Sequence, residues 1–187
     1  MLCVAVTLLY SAGQFVLFSY FAPYFKLHLQ VTPGELSLLF ACFGACGLIG
    51  NLVMSRHIDR IGAPRAVMWA VASMGLSLLL WPLASSLALA ALICVPWGLG
   101  CFASNSAQQA RLVGIAPLLA SGSIALNSAA MYAGQALGAG GGGWLIAHGN
   151  MDALHWFGLA GLVAAMAMSW WPPANPRTAH GLKTRSS

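Results

Sequence analysis

Residues 66–110 read AVMWAVASMGLSLLLWPLASSLALAALICVPWGLGCFASNSAQQA and contain no Asp, Glu, Lys or Arg. This stretch is long enough for two membrane-spanning helices, because a bilayer core about 30 Å thick requires roughly 20 apolar residues per helix. Across the chain, 59% of the 187 residues are hydrophobic and only 6% are charged. A soluble domain of this length needs a charged surface, which so few charges cannot provide. The composition therefore predicts an integral membrane protein.

Charged and turn-forming residues divide the chain into six apolar segments of about one membrane span each. We predict spans at residues 2–25, 35–55, 66–84, 88–109, 121–147 and 153–171. The segments are apolar on nearly every side, whereas strands of an outer-membrane barrel alternate apolar and polar residues. We therefore expect an all-α transmembrane domain over residues 1–172 and a cytoplasmic basic tail over residues 173–187. Thr32, Pro33 and Glu35 have the spacing of a helix start with a capping box.

The basic residues predict how the helices cross the membrane. Seven of the eight Lys and Arg residues fall on one side if both termini share that side, and only Lys26 falls on the other. Because cytoplasmic loops carry an excess of Lys and Arg, we expect both termini in the cytoplasm and the protein in the plasma membrane (the bacterial inner membrane). The net charge of +5 then reflects topology and does not indicate nucleic-acid binding. Since Met1 leads directly into an apolar span, we also expect a further segment upstream.

The segment between the second and third spans carries the densest cluster of charges. It contains the pattern Gly-x5-Arg-x2-Asp-Arg-x-Gly-x2-Arg, whose members are Gly50, Arg56, Asp59, Arg60, Gly62 and Arg65. The single carboxylate can accept charge-assisted hydrogen bonds from arginines or from a helix N-terminus, and Gly62 permits a tight turn. Two interpretations remain open: a latch that joins and releases helices as the bundle moves, or a solvated loop that only sets topology.

This pattern resembles the cytoplasmic loop motif of the major facilitator superfamily, in the copy that follows the eighth helix, although Ser55 stands where the family usually has a glycine. Downstream residues are similar to helices ten and eleven of bacterial drug and small-solute exporters, including Asn105, Gln109, Arg111, Pro117, Asn127, Tyr132 and Gly138. The nearest group is the drug:proton antiporters that include arabinose-efflux-like and nucleoside-efflux-like proteins. The resemblance covers nearly the whole chain. It implies helices seven to twelve, a six-helix half built from two inverted three-helix repeats.

Polar side chains inside the spans are candidates for a substrate cavity, because they are costly in lipid unless they face protein or water. In the family, helices seven, ten and eleven line or flank the central cavity, which the resemblance carries over to Gln14, Asn127, Tyr132 and Gln135. The alternative is that these side chains only form hydrogen bonds between helices, worth about 0.6 kcal/mol each. Residues 105–109 are expected near the cytoplasmic end, in helix capping and loop contacts.

Glycines predict close contacts between helices. Gly134, Gly138 and Gly142 are spaced by four residues on one helix face, and small residues at this spacing let helix backbones approach in lipid. Glycines at positions 44, 47 and 50 repeat by three in the second span. The glycine run at residues 140–143 also lowers helix propensity. Packing is therefore one interpretation of the fifth span, and a moving hinge is the other.

Proton exchange normally relies on an ionisable group within the membrane, and no Asp, Glu, Lys or Arg lies in the middle of a span. We therefore expect any coupling carboxylate to lie outside this chain. The sequence has no Gly-x-Ser-x-Gly elbow, no His-Glu-x-x-His pair and no phosphate-binding loop. We therefore expect no enzyme activity, no catalytic residue, no cofactor and no metal.

We predict transport of a small organic solute, with efflux favoured, by alternating access. The expected partners are the lipid bilayer, a small-molecule substrate, and either an N-terminal six-helix half or a second copy of the chain. Two other interpretations remain open. The chain can be a truncated, non-transporting membrane remnant, or a six-helix homodimer that acts as a uniporter. Drug, sugar and nucleoside export are all compatible with these residues.

Overall fold

The computed structural model describes residues 2–170, which form only helices, turns and short connections. The α-helices are α1 (Leu2–Phe18), α2 (Phe21–Leu29), α3 (Pro33–Ile61), α4 (Ala63–Leu80), α5 (Leu87–Ile115), α6 (Ala120–Ala147) and α7 (Leu154–Trp170). Three 3₁₀ turns lie at Trp81–Leu83, Pro117–Leu119 and Met151–Ala153. The predicted all-α fold with six helical segments is confirmed, with α1 and α2 together forming the first segment. Residue 171 and the predicted tail 173–187 lie outside the described residues.

Five segments of the described chain are long and apolar enough to cross a membrane. They are Leu2–Leu29, Pro33–Ile61, Ala63–Leu83, Leu87–Ile115 and Met151–Trp170. The predicted fifth span forms α6, which has 28 residues but is not among these five. Its glycine run and its two amide side chains, Asn127 and Gln135, explain its lower mean hydropathy. α6 nevertheless packs within the same bundle, along the whole of α1.

The range 2–25 predicts one continuous helix, but the first segment is broken into two. α1 ends at Phe18, and the chain turns at Ser19 and Tyr20 before α2 begins. Pro23 explains this break, because a proline ring clashes with the carbonyl group four residues earlier, here that of Ser19, and has no N–H to donate to it. The start of α3 follows its prediction. Thr32 caps the helix: its N–H donates to the Glu35 carboxylate at 2.7 Å, and its hydroxyl accepts from the Glu35 N–H at 3.3 Å.

α3 and α5 are both longer than predicted. They end at Ile61 and Ile115, whereas the predictions ended at residues 55 and 109, where polar side chains accumulate. Polar and charged side chains such as Arg and Gln are good helix formers, so each helix continues for more than a turn. Two expectations are therefore corrected. Residues 56–60 lie on the last turns of α3 and not in a loop, and residues 105–109 lie inside α5 and not at its cap.

The helices form two units, α1–α4 and α5–α7, and the first helix of each unit packs on the other unit. In the first unit α2 continues α1, so each unit has three helical segments. α1 packs against α6 and α7, and α5 packs against α3 and α4. The first helix of each unit thus lies on the second and third segments of the other, and the third segments, α4 and α7, contact each other. This exchange is the arrangement expected of two three-helix repeats.

The two ends of the bundle differ in chemistry. Arg56, Arg60 and Arg65 flank the α3–α4 connection, and Arg111 lies in the last turns of α5. Hydrogen bonds between α3 and α5 and between α5 and the start of α1 place these arginines at one end, which we call the basic end. Lys26, the fifth described lysine or arginine, lies on α2 at the opposite end.

Candidate functional site

Gly62 alone connects α3 to α4 in the predicted loop motif. Its φ is 85°, a backbone conformation that glycine adopts readily and that residues with a Cβ rarely adopt. The Gly62 N–H donates to the Ile58 carbonyl at 2.8 Å, which closes the last turn of α3. Pro64 follows near the start of α4, where the fixed φ of proline suits a helix. The tight turn is therefore present, but it is much shorter than the predicted loop.

The charged residues of the motif are all exposed: Arg56, Asp59, Arg60 and Arg65. Within residues 2–170, Asp59 forms no ion pair. One ion pair joins His28 to Asp152 at the opposite end, with 3.0 Å between Nε2 and Oδ1. The motif therefore makes no latch among the described helices of this chain. Its charges are available to groups outside the six-helix unit.

Gly50, the first residue of the motif, lies in a contact between helices. It is buried on α3, and a Cβ at this position would overlap the backbone of Leu99 on α5. A Cβ on Gly47 would likewise overlap the ring of Phe102. Gly44 does not take part, because a Cβ added to it would meet no atom within 4 Å. The glycine pair 47 and 50 thus allows α3 and α5 to approach closely.

The evenly spaced glycines of α6 face α1. Gly134, Gly138 and Gly142 are buried, and a Cβ on any of them would overlap a carbonyl oxygen of α1. The oxygens belong to Leu8, Ala12 and Val16 respectively. Positions 140 and 141 have nothing within 4 Å, and α6 continues through them without interruption. In this structure the glycine stripe therefore serves close packing of α6 on α1.

The four candidate cavity residues do not share one surface. Asn127 is fully buried, and its Oδ1 accepts a hydrogen bond from the Thr7 hydroxyl at 2.5 Å. Gln14 is also buried, on α1. Tyr132 is 64% exposed. It lies about 200° around the helix axis from Gly134, which faces α1. Gln135 is half-buried. Only the α6 pair Tyr132 and Gln135 is therefore open to a solute or to a second half.

Polar side chains of residues 105–109, predicted to form cap and loop contacts, join helices at the basic end. The Ser106 hydroxyl donates to Oδ1 of Asn51 at 2.6 Å, which links α5 to α3. The side-chain amide of Gln108 donates to the Cys3 carbonyl at 2.5 Å, which links α5 to α1. These partners are 55 and 105 residues apart, so no local spacing could reveal the pairs.

Arg111 is a further residue that sequence reasoning did not select as a site. It is only 8% exposed, and its Nη1 donates to the Ser169 hydroxyl of α7 at 2.8 Å. The side chain lines a cavity of about 420 Å³ between α1, α5 and α6. The other lining groups are mainly apolar, among them Leu2, Val4, Leu112, Ile115, Leu119 and Leu126. One signal was present in the sequence: Arg111 is the single charge between residues 66 and 151.

The opposite end is packed by aromatic rings. Trp81 and Trp97 are fully buried, with ring centroids 5.7 Å apart at 78°. Phe21 contacts both rings from the start of α2. Trp81 is therefore part of the core. Edge-to-face aromatic pairs of this kind are worth about 0.5–1.5 kcal/mol beyond their burial, so this end is held mainly by apolar contacts.

Within residues 2–170, no three His, Cys, Asp or Glu side chains are grouped as a metal site. The cysteines are free thiols, of which Cys94 is buried. The described polar groups that could act chemically are therefore the exposed charges of the motif, the open pair on α6 and the Arg111 cavity.

Comparison with known proteins agrees with the helical arrangement. The sequence profile of the Major Facilitator Superfamily matches residues 3–187. The chain is also similar to the uncharacterized MFS-type transporter YbcL of Bacillus subtilis (strain 168), with 24% identity over 166 residues. These residues are 88% of this chain and 43% of that protein, so the chain spans less than half the length of this relative. The family consists of transporters and not of enzymes, in agreement with the sequence-based prediction. Because the family profile covers nearly all of the sequence, the chain belongs to the major facilitator superfamily.

Proposed function

We propose that this chain is the C-terminal six-helix half of a transporter that exports a small organic solute by alternating access. In this proposal the six helices rock as a unit against an N-terminal half, and the solute binds between the halves near the middle of the membrane. The single observation that carries the proposal is the exchanged packing of α1 and α5. Each of these helices is held by the other repeat, so the six segments make one unit.

The length of the relative supports the same assignment. The chain aligns with 43% of YbcL, a share that fits one half of a two-half transporter. The loop motif around Gly62, which resembles the copy after helix eight, favours the C-terminal half. The second half is then the principal partner of this chain.

The distribution of arginines supports an orientation. Four arginines lie at the basic end, and Lys26 is the one described lysine or arginine at the other. By the positive-inside rule, the basic end faces the cytoplasm of a bacterial cell, with both termini on that side of the inner membrane.

Exposed polar side chains support a position for the central cavity. Tyr132 and Gln135 lie in the middle of α6, and Tyr132 is 64% exposed on the isolated half. Such side chains are costly in lipid unless they face protein or water. This side of α6 therefore faces the second half, and these two residues contact the solute. Gln14 and Asn127 then support the cavity wall through contacts within the half.

The carboxylates of this half lie away from the middle of the membrane. Glu35 is in the first turn of α3, Asp59 is near its end, and Asp152 is in a 3₁₀ turn. A proton-coupled exporter needs an ionisable group within the membrane. The second half therefore supplies the coupling group if the transporter exchanges protons for solute.

The test is a transport assay on the complete transporter, with a panel of drugs, sugars and nucleosides. Tyr132→Leu and Gln135→Leu are expected to change the order of preference among the transported solutes, whereas Leu137→Ala is expected to leave it unchanged. Leu137 is 62% exposed on the same helix and carries no polar group, so it controls for altering the surface of α6. An unchanged order of preference in both polar variants contradicts the proposed cavity.

A further inference from the structure

Among the described residues, Arg111 is a buried cation without a carboxylate partner. A guanidinium group has five N–H donors, and one interaction, with the Ser169 hydroxyl, is formed among the described residues. The chain has three side-chain carboxylates, none of which pairs with it within the described range. Glu35 accepts from Thr32, and Asp152 pairs with a histidine. A buried charge that lacks a counter-charge carries a large desolvation cost. The site therefore favours an anion.

The depth of Arg111 matches the phosphate layer of a membrane. α5 has 29 residues and is therefore about 43 Å long, close to the roughly 40–45 Å of a bilayer with its headgroups. Arg111 lies four residues before the end of α5 at Ile115, or about 6 Å along the axis. This depth is that of lipid phosphates, not of the hydrocarbon centre.

The walls of the cavity match an acyl chain. They are lined chiefly by aliphatic side chains of α1, α5 and α6. Val4 and Leu126 lie on the side of Arg111 that faces the membrane centre, where an acyl chain runs, and Leu126 is 45% exposed. Aliphatic side chains so exposed beside a single cation complement a molecule that joins an anionic group to an apolar body.

We propose that the Arg111 cavity binds an anionic phospholipid of the leaflet at the basic end, with the lipid phosphate on the guanidinium and an acyl chain along the aliphatic walls. Basic pockets between transmembrane helices bind anionic headgroups in this way. The bound lipid supplies the counter-charge that Arg111 lacks among the described residues, and it fills the gap between α1, α5 and α6. This binding is independent of the solute that the transporter carries.

The test is lipid binding to the complete transporter, purified in mild detergent and measured by native mass spectrometry with phosphatidylglycerol and phosphatidylcholine. We expect phosphatidylglycerol to bind more tightly than phosphatidylcholine, and Arg111→Gln to weaken phosphatidylglycerol binding about tenfold, as for loss of a hydrogen bond to a charged group. Arg111→Lys is expected to retain most of the binding. Lys26→Gln removes a positive charge at the opposite end of the bundle and is expected to behave as the wild type.

Photo-crosslinking on the wild-type protein keeps the test independent of the folding of any variant. A phosphatidylglycerol analogue with a photoreactive headgroup is expected to label the start of α1 and residues 111–119. Labelling elsewhere overturns the proposal, as does equal affinity of the two lipids or of wild type and Arg111→Gln. Displacement of the lipid by millimolar inorganic phosphate alone identifies a site for free anions and also overturns it. The proposal is also overturned if the wild type does not bind phosphatidylglycerol and Arg111→Gln weakens the contact between the halves. That result assigns the guanidinium to a carboxylate of the second half.

Discussion

The hydroxyl of Thr7 donates a hydrogen bond to Oδ1 of Asn127, a residue 120 positions later in the chain. The two side chains are fully buried and join α1 to α6 near the basic end. α1 belongs to one three-helix unit and α6 to the other, so this bond crosses between the repeats. It therefore helps the two units to move together as one half.

Breaking this bond tests its contribution to stability. Thr7→Val and Asn127→Leu are each expected to lower the free energy of unfolding by about 0.5–1.5 kcal/mol, the range for hydrogen bonds between membrane helices. The double variant is expected to lose less than the sum, because both changes remove the same bond. Unfolding of the half in mixed micelles measures the three values. Strictly additive losses contradict a coupling between the two side chains.

The packing of α6 on α1 predicts a contrast between two glycines of one helix. Gly138→Ala places a methyl group against the Ala12 carbonyl, and such overpacking is expected to cost about 1–3 kcal/mol. Gly140→Ala meets nothing within 4 Å. It is expected to leave stability unchanged or to raise it by up to about 1 kcal/mol through helix propensity. Thermal unfolding in detergent compares the two, and similar losses at both positions argue against a face-specific contact.

In the connection between α3 and α4, replacing Gly62 is expected to destabilise the fold through its backbone conformation and not through a steric clash. No atom lies within 4 Å of the position that a Cβ on Gly62 would occupy, but its φ of 85° is unfavourable for alanine. Gly62→Ala is therefore expected to cost about 1–3 kcal/mol of unfolding free energy. Gly34→Ala, equally free of contacts but with helical backbone in the first turn of α3, is the matched control. A neutral Gly62→Ala shows that the turn can relax.

The exposed motif predicts that Asp59 acts between halves and not within this one. Because Asp59 is exposed and forms no ion pair with residues 2–170, Asp59→Asn is expected to change the unfolding free energy of the half by less than about 0.5 kcal/mol. Solute transport by the complete transporter is expected to fall about tenfold, the effect of losing roughly one hydrogen bond to a charged group. Asp152→Asn, at the opposite end, serves as the control. Loss of stability without loss of transport reverses this assignment.

Much of the fold follows from local sequence signals. Spacing of apolar residues between charges located six helical segments, and Thr32 and Glu35 marked the start of α3 because capping depends on neighbouring residues. The ends of the helices were harder to predict from the sequence. Hydropathy reports contact with lipid and does not mark where a helix stops, so it does not follow α3 to Ile61 or α5 to Ile115. The effect of Pro23 on the carbonyl four residues earlier was present in the sequence and was missed.

The candidate site was harder to predict, because its contacts are not local. The i, i+4 spacing of Gly134, Gly138 and Gly142 identified a shared face, and the structure places all three against α1. The same kind of reasoning grouped Asn127 with Tyr132, but only the packing of α1 shows that one is buried and the other exposed. Arg111 is a single charge with no local pattern. Its cavity exists only where three helices meet.

The central claim is that the six helices are half of an alternating-access transporter, and solute flux into proteoliposomes tests it most directly. The chain is reconstituted alone, and also together with the six-helix half sought in the coding sequence that precedes Met1. We predict saturable flux only when both halves are present. Saturable flux from the chain alone contradicts the account and favours a homodimeric uniporter, and no flux from the pair favours a non-transporting remnant.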